Sequence, residues 1–260
     1  MAYHEIKHQN CIEGLKELGN EEVSLLFTSP PYRKKEGFST ELISEVARQT
    51  ARILKPGGIA AINFDQMAED PIRPAKVAVM FDQYLDTGPT IAWIKSIYIE
   101  SVKCPDPECK HHTETFSINK GQYTPINGDN WVTKKWEPIM LFSKGRRNFD
   151  RLSIGIPYAD KSNIGRFNHE GVDRQCRGTT WMRTYQPRTG AKLHPESMPV
   201  EIPMDIIKLA GIKSGDLMVD PFLGSGTTLE GLLNVNPKIN FMGYEINPDY
   251  VKISERLLSN

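Results

Sequence analysis

The 260-residue chain switches repeatedly between short unbroken apolar runs and stretches with apolar positions three and four residues apart. The first signature predicts strands buried on both faces, the second amphipathic helices. Val23 to Phe27, Ile59 to Phe64, Ile139 to Phe142, Leu217 to Val219 and Asn240 to Tyr244 are the clearest runs. Ile12, Leu15 and Leu18 mark a short helical face. Leu42, Ile43, Val46, Ala47, Ala51 and Leu54 mark a longer one, with Thr40 as expected N-cap and Pro56-Gly57-Gly58 as its stop. Pro71 to Thr87, Pro203 to Ala210 and Asp249 to Leu258 predict three more helices, the last capped by Asn247 or Asp249. Thr90 to Val102, rich in β-branched and aromatic residues, predicts a further strand. Strands alternating with helices predict an α/β protein on a mostly parallel sheet.

Two stretches break the pattern. Cys104 to Asn130 is interrupted by Pro, Gly and polar residues and predicts an insertion or long loop. Arg151 to Lys192 has weak periodicity and carries eight cationic side chains against three acidic ones, although the whole chain has no formal net charge. Phe167, Trp181 and Tyr185 lie among those cations. A basic stretch with aromatics suits phosphates and bases, and a solvated loop region is the alternative.

Composition narrows the class only slightly. A hydrophobic fraction of 39% and a charged fraction of 25% are ordinary for a globular protein. No run approaches the roughly 18 apolar residues that span a bilayer. The N-terminal Met-Ala-Tyr-His-Glu-Ile-Lys lacks the apolar core of a signal peptide. A cytoplasmic setting is the expectation, and four cysteines in such a setting argue against a disulfide framework. Cys104, Cys109, His111 and His112 are close enough in sequence to be candidate ligands of a structural zinc, with a polar loop as the alternative.

The candidate chemistry sits in two loops, each directly after a predicted buried strand. The first is Thr28-Ser29-Pro30-Pro31-Tyr32, the second Asp220-Pro221-Phe222-Leu223-Gly224-Ser225-Gly226-Thr227-Thr228. In open α/β sheets ligands bind beyond the carboxyl ends of strands, so both loops can face one site. Prolines fix φ and stiffen the first loop. Gly224 and Gly226 allow a tight turn and close approach to a ligand. No Gly-Lys-Ser/Thr follows, which excludes a phosphate-cradling P-loop, and the match to Gly-x-Gly-x-x-Gly is poor. Glu245 stands about twenty positions after the glycine loop, where Rossmann-like folds carry a ribose-hydroxyl acceptor.

Ser29-Pro30-Pro31-Tyr32 resembles the catalytic motif of the DNA amino-methyltransferases, and Asp220 to Thr228 resembles their cofactor motif. Lys55-Pro56-Gly57-Gly58, Trp136-Glu137-Pro138 and His194-Pro195-Glu196-Ser197-Met198-Pro199 are similar to further family segments. The catalytic motif comes first and the cofactor motif last, as in the permuted β group of that family. The resemblance covers the chain apart from residues 103–130. It implies a Rossmann-like S-adenosylmethionine-dependent methyltransferase fold. That fold has a mostly parallel seven-stranded sheet with helices on both faces, and a small target-recognition region. The expected organisation is one domain: a catalytic-motif half at 1–102, an insertion at 103–135, target recognition at 145–193 and a cofactor-binding half at 194–260.

The implied reaction is methyl transfer from S-adenosylmethionine to an exocyclic base nitrogen of double-stranded DNA. It proceeds by direct displacement on a flipped-out base. Ser29, Pro30, Pro31 and Tyr32 are the candidate catalytic residues. The Ser29 hydroxyl and the Pro30 carbonyl would accept hydrogen bonds from the target amine, and Tyr32 would stack on the base. Serine in first position favours cytosine N4 as target; adenine N6 is the alternative. A catalytically inactive fold that binds nucleic acid is a reading from a different class. Cofactor-binding candidates are Asn10, Thr28, His194, Asp220, Phe222, Gly224, Ser225, Gly226, Thr227 and Glu245. Asn10 stands where the family often has Asp, leaving its amide to face the adenine. DNA-binding candidates are Arg166, Arg174, Arg177, Trp181, Arg183 and Arg188. A cognate restriction endonuclease is a possible functional partner, and the protein is expected as monomer or homodimer.

Overall fold

The computed structural model describes residues 2–31, 37–65, 70–95, 97–103, 115–120, 135–147, 149–158, 173–183 and 198–259. In chain order the first elements are β1 (His4–His8), α1 (Cys11–Glu17), β2 (Val23–Thr28), α2 (Thr40–Ile53), β3 (Leu54–Asn63) and α3 (Arg73–Asp82). β4 (Asp86–Ile94), β5 (Ile97–Lys103), β6 (Thr115–Lys120) and β7 (Trp136–Ser143) follow. Then come β8 (Ile156–Pro157), β9 (Arg174–Gln175), β10 (Thr180–Met182) and α4 (Glu201–Ala210). β11 (Leu217–Asp220), α5 (Thr227–Val235), β12 (Asn240–Glu245) and α6 (Pro248–Glu255) complete the series.

Eight described strands form one sheet in the order β1-β12-β11-β2-β3-β7-β4-β10. All neighbouring pairs are parallel except those of β7, which runs antiparallel to β3 and β4. The three-residue β10 at one edge takes the count from the expected seven to eight. β2 and β11 lie side by side at the centre, and every residue of both is buried. From β11 the chain goes through α5 to β12 on one side; from β2 it goes through α2 to β3 on the other. The junction of β11 and β2 is therefore the topological switch point, where the diverging loops open a crevice.

Alternation along β2 divides the interior. Leu26 belongs to the core under α1, α2 and α3, together with Leu15, Val46, Phe81 and Phe142. Leu25 and Phe27 face the opposite core, with Ile206, Leu229, Trp93 and Trp181. Period-two side-chain direction buries both faces, and for this reason the strand reads as a continuous apolar run.

Several local expectations change. Ser39 caps α2, its side chain accepting from the Leu42 amide, and Thr40 is the first helical residue. Pro56-Gly57-Gly58 does not stop that helix; it forms an irregularity inside β3, where Gly57 has φ +79° and its amide donates to the Lys144 carbonyl. The predicted strand Thr90 to Val102 is two strands: β4 in the main sheet, and β5 in an antiparallel pair with β6. β6 lies within the stretch expected to be loop, because a segment with mixed composition can still pair through its backbone. Asn247 caps α6 by accepting from the Asp249 amide. No described helix is long and apolar enough to cross a membrane.

Candidate active site

The crevice at the switch point is a cavity of about 630 Å3. Ser29, Pro30 and Pro31 line it from the end of β2; Asp220, Phe222, Gly224, Ser225 and Thr227 line it from the end of β11. Asn10 contributes from the end of β1 and Glu245 from the end of β12. Four parallel strands thus deliver their carboxyl-end loops to one space. Tyr32 and His194 lie outside the described residues.

Asp220 ties the two loops together. Its Oδ1 accepts from the Thr28 hydroxyl at 2.6 Å and from the Phe222 amide at 3.0 Å. Burial pushes its carboxyl up to about 6, and the Thr28 and Thr228 hydroxyls pull it partly back. Thr28 itself is fully buried and does not line the cavity; it holds Asp220. Glu245 closes the glycine loop on itself: Oε2 accepts from the Gly224 amide at 2.8 Å and Oε1 from the Asn247 amide at 2.7 Å. Each oxygen keeps a lone pair for a ligand hydroxyl. The Asn10 Oδ1 caps α1 by accepting from the Ile12 amide, which leaves the side-chain NH2 group as a donor.

The two glycines of the motif divide their work. Gly224 has φ +56° and open space where a side chain would stand, beside the cavity. Gly226 has φ +89°, and a Cβ there would come within 2.8 Å of Leu257 and 2.9 Å of Ser254. Gly226 serves the packing of α5 against the C-terminal segment rather than a ligand.

Sequence reasoning missed part of the lining. Gln9, Leu42 and Tyr250 also face the cavity, beside Thr228 and Met198 from segments singled out by their resemblance. Leu42 and Tyr250 sit on amphipathic helices and carry no signal separating a ligand contact from a core contact. Cys11 lines the cavity as well, and burial pushes its thiol up to about 12, which favours the neutral thiol over the thiolate.

The expected DNA-contact residues separate into distinct roles. Trp181 is a correction: it is fully buried, and its Nε1 donates to the Gly178 carbonyl at 3.0 Å. Its indole completes the core beside β4 and offers no face to a base. Arg177 and Arg183 both pair with the Asp205 carboxylate of α4, at 2.5 and 2.6 Å. They anchor the two ends of β10 to that helix, two cations sharing one carboxylate. Arg174 is exposed, with Nη1 donating to the Gly155 carbonyl at 3.0 Å. Arg166, Arg188, Cys104, Cys109, His111 and His112 lie outside the described residues. Among the described residues no cluster of metal-ligating side chains occurs.

Known proteins are similar to this chain in sequence and in fold. The chain is 28% identical over 212 residues to the type II methyltransferase M.MjaI of Methanocaldococcus jannaschii, covering 81% of this chain and 64% of that protein. It is 24% identical over 278 residues to the DNA adenine methyltransferase YhdJ of Escherichia coli, covering 97% and 82%. Its fold is similar to the cytosine-N4-specific PvuII DNA methyltransferase, with a TM-score of 0.66 at 19% identity over 99% of this chain and 86% of that one. It is also similar to M1.HpyAVI in complex with SAM, with a TM-score of 0.61 at 18% identity over 99% and 100%. A family model of DNA methylases matches residues 23–256, and the chain, with both motif loops on one crevice, belongs to the N6/N4 DNA methylase family.

Proposed function

We propose that this protein transfers a methyl group from S-adenosylmethionine to the exocyclic N4 of cytosine in a specific DNA sequence. The observation that carries the reading is the meeting of Ser29-Pro30-Pro31 and the Asp220 to Thr227 loop on one cavity. A space of about 630 Å3 is within the range of cofactor sites. Its donor set suits a nucleoside with an amino-acid tail. Asn10 offers an amide to the adenine, Glu245 carboxylate lone pairs to the ribose, and Phe222, Leu42 and Met198 apolar surface. Among the other cofactor candidates, Ser225 and Thr227 lie on the same wall. Asp220 and Thr28 shape it, and His194 is read as helping from the segment before α4.

Bound S-adenosylmethionine supplies a methyl group on a positively charged sulfur. The protein's part is to make a poor nucleophile good. An exocyclic amine shares its lone pair with the base ring. Acceptors at the Ser29 hydroxyl and the Pro30 carbonyl bind the amine hydrogens, draw the nitrogen toward tetrahedral geometry and stabilise the positive charge that builds there. The proline pair holds those acceptors in place before the base arrives. The target must leave the duplex to reach this crevice. Tyr32 is read as the surface on which it stacks.

Exposed Arg174, with Arg166 and Arg188 of the same basic stretch, is read as contacting the phosphate backbone. Arg177 and Arg183, two cations sharing the Asp205 carboxylate, would support that contact. We read the chain as one methyltransferase domain, acting on duplex DNA as monomer or homodimer, with a restriction endonuclease as functional partner. Adenine N6 is the second reading, favoured by the likeness to the adenine-specific YhdJ protein along 97% of the chain.

Product analysis tests both. Purified protein is incubated with S-adenosylmethionine and unmethylated duplex DNA, and the digested nucleosides are identified by chromatography and mass spectrometry. N4-methylcytosine is expected. N6-methyladenine would replace the base assignment and keep the mechanism. No methylated nucleoside across DNAs of varied sequence would favour an inactive nucleic-acid-binding fold.

A further inference from the structure

Tyr244, the residue before Glu245, joins three walls of the cavity. It borders the space but is fully buried, so it has no surface to give a ligand. Its hydroxyl donates to the Gly14 carbonyl of α1 at 2.9 Å. Its backbone carbonyl accepts from the Leu223 amide of the glycine loop at 2.9 Å. Glu245 follows directly, with its two oxygens on the Gly224 and Asn247 amides. One buried residue thus links α1, the glycine loop and the proposed ribose acceptor.

The contact with α1 is built from both sides. A Cβ at Gly14 would stand 2.1 Å from Cε1 and 2.3 Å from Cδ1 of the Tyr244 ring, so any side chain there would push the helix off the ring. Glycine inside a helix weakens it, and α1 has only seven residues, too few to hold its place unaided. The carbonyl that meets the hydroxyl is one of those for which the end of a helix lacks an internal donor. The Leu18 amide, four residues on, donates to the Leu15 carbonyl instead. Burial, and then the charges of Glu17 and Glu5, push the Tyr244 hydroxyl up from its ordinary range, so it keeps its proton as a donor.

Pairing of β1 with β12 fixes where α1 begins, since the Gln9 amide donates to the Glu245 carbonyl at 3.1 Å. It does not by itself set the direction in which the helix leaves. The bond from Tyr244 to Gly14, one turn further along, does. Asn10 is the N-cap of α1 and moves with it. We infer that Tyr244 is a positioning residue for the cofactor, holding α1 at the tilt that sets the Asn10 side-chain amide and the Glu245 carboxylate on either side of the adenosine. This rests on the reading of the cavity as the S-adenosylmethionine site. The Tyr244 hydroxyl then governs affinity for the nucleoside end of the cofactor and leaves the transfer step alone.

A double-mutant cycle tests this. Tyr244→Phe is made in the native protein and in Asn10→Ser, which keeps a capping oxygen on α1 but removes the NH2 group. S-adenosylmethionine binding is measured by calorimetry and methyl transfer to duplex DNA under single turnover. In the native background Tyr244→Phe should raise the cofactor Kd roughly 3–10-fold, the size of one neutral hydrogen bond, while the rate at saturating cofactor stays at the native value. In the Asn10→Ser background it should raise Kd no further, because its effect passes through the missing amide. A purely structural bond would instead weaken both backgrounds alike. If Tyr244→Phe does not fold, Gly14→Ala takes its place: alanine strengthens α1 as a helix but lifts it from the ring, and the same loss, absent in Asn10→Ser, is expected. Unchanged affinity in the native background, or losses that multiply in Asn10→Ser, overturns the inference and leaves the cofactor reading intact. Absence of S-adenosylmethionine binding by the unaltered protein overturns the cofactor reading, and this inference with it.

Discussion

The Thr28 hydroxyl donates to the Asp220 carboxylate at 2.6 Å, joining the last residues of two adjacent central strands that are 192 positions apart in sequence. Each of these residues leads directly into one of the motif loops. The bond therefore sets the distance between the proposed methyl-acceptor loop and the proposed cofactor loop. Thr28→Val keeps the shape and removes the donor, leaving a buried carboxylate short of a partner. A loss of about 1–3 kcal/mol is expected in urea unfolding, together with weaker S-adenosylmethionine binding. Thr28→Ser should retain both. Unchanged binding in Thr28→Val would show that the loops hold their separation without this bond.

Asp220 also makes stability depend on pH. Burial, and secondarily the charge of Glu245, raise its carboxyl from 3.8 to about 6, so the folded protein keeps a proton that the unfolded chain has already released. The stability this contributes is fully present below about pH 4 and is lost as pH rises through about 6. Asp220→Asn carries no such charge. Urea melts from pH 7 to pH 4 should show the native protein gaining on the Asn variant by on the order of 2–3 kcal/mol. A flat difference between the two proteins would mean that the carboxylate is not desolvated.

Ser29→Ala should lower the methyl-transfer rate about 100- to 1000-fold, the usual cost of removing one group that stabilises developing charge. Cofactor affinity by calorimetry should stay at the native value, because Ser29 is read as meeting the base. A matching loss of cofactor affinity would move Ser29 from the base to the cofactor.

Gly224→Ala and Gly226→Ala should differ in kind. At Gly226 the left-handed backbone and two close neighbours both oppose a methyl group, and thermal unfolding should show a loss of about 2–4 kcal/mol. At Gly224 only the backbone opposes it, at about 1–2 kcal/mol, and the larger effect should be on cofactor affinity. Equal effects on stability would contradict the packing role assigned to Gly226.

Trp181→Ala should cost about 3–5 kcal/mol of stability, the price of emptying a large core site. Trp181→Phe, which keeps most of the volume, should bind DNA in fluorescence titrations as the native protein does. Lost DNA affinity in the folded Phe variant would return Trp181 to the interface.

Much of this protein is legible from its sequence, for a local reason. Strands buried on both faces must be apolar throughout, so β2 and β11 announce themselves as short apolar runs. A stiff proline pair and a glycine turn directly after them mark the loops where such strands deliver ligands. Those features determine the α/β class, the order of the motifs and the family. Pairing across the sheet is decided elsewhere. Nothing near Trp181 says that β10 would dock on β4 and bury its ring, or that Asp205 would take up Arg177 and Arg183. Gly224 and Gly226 look alike until α6 packs against only one of them. Which residues meet across about 20 to 190 positions depends on strand order and register, and these are set by the burial of whole faces; only the tertiary structure decides them.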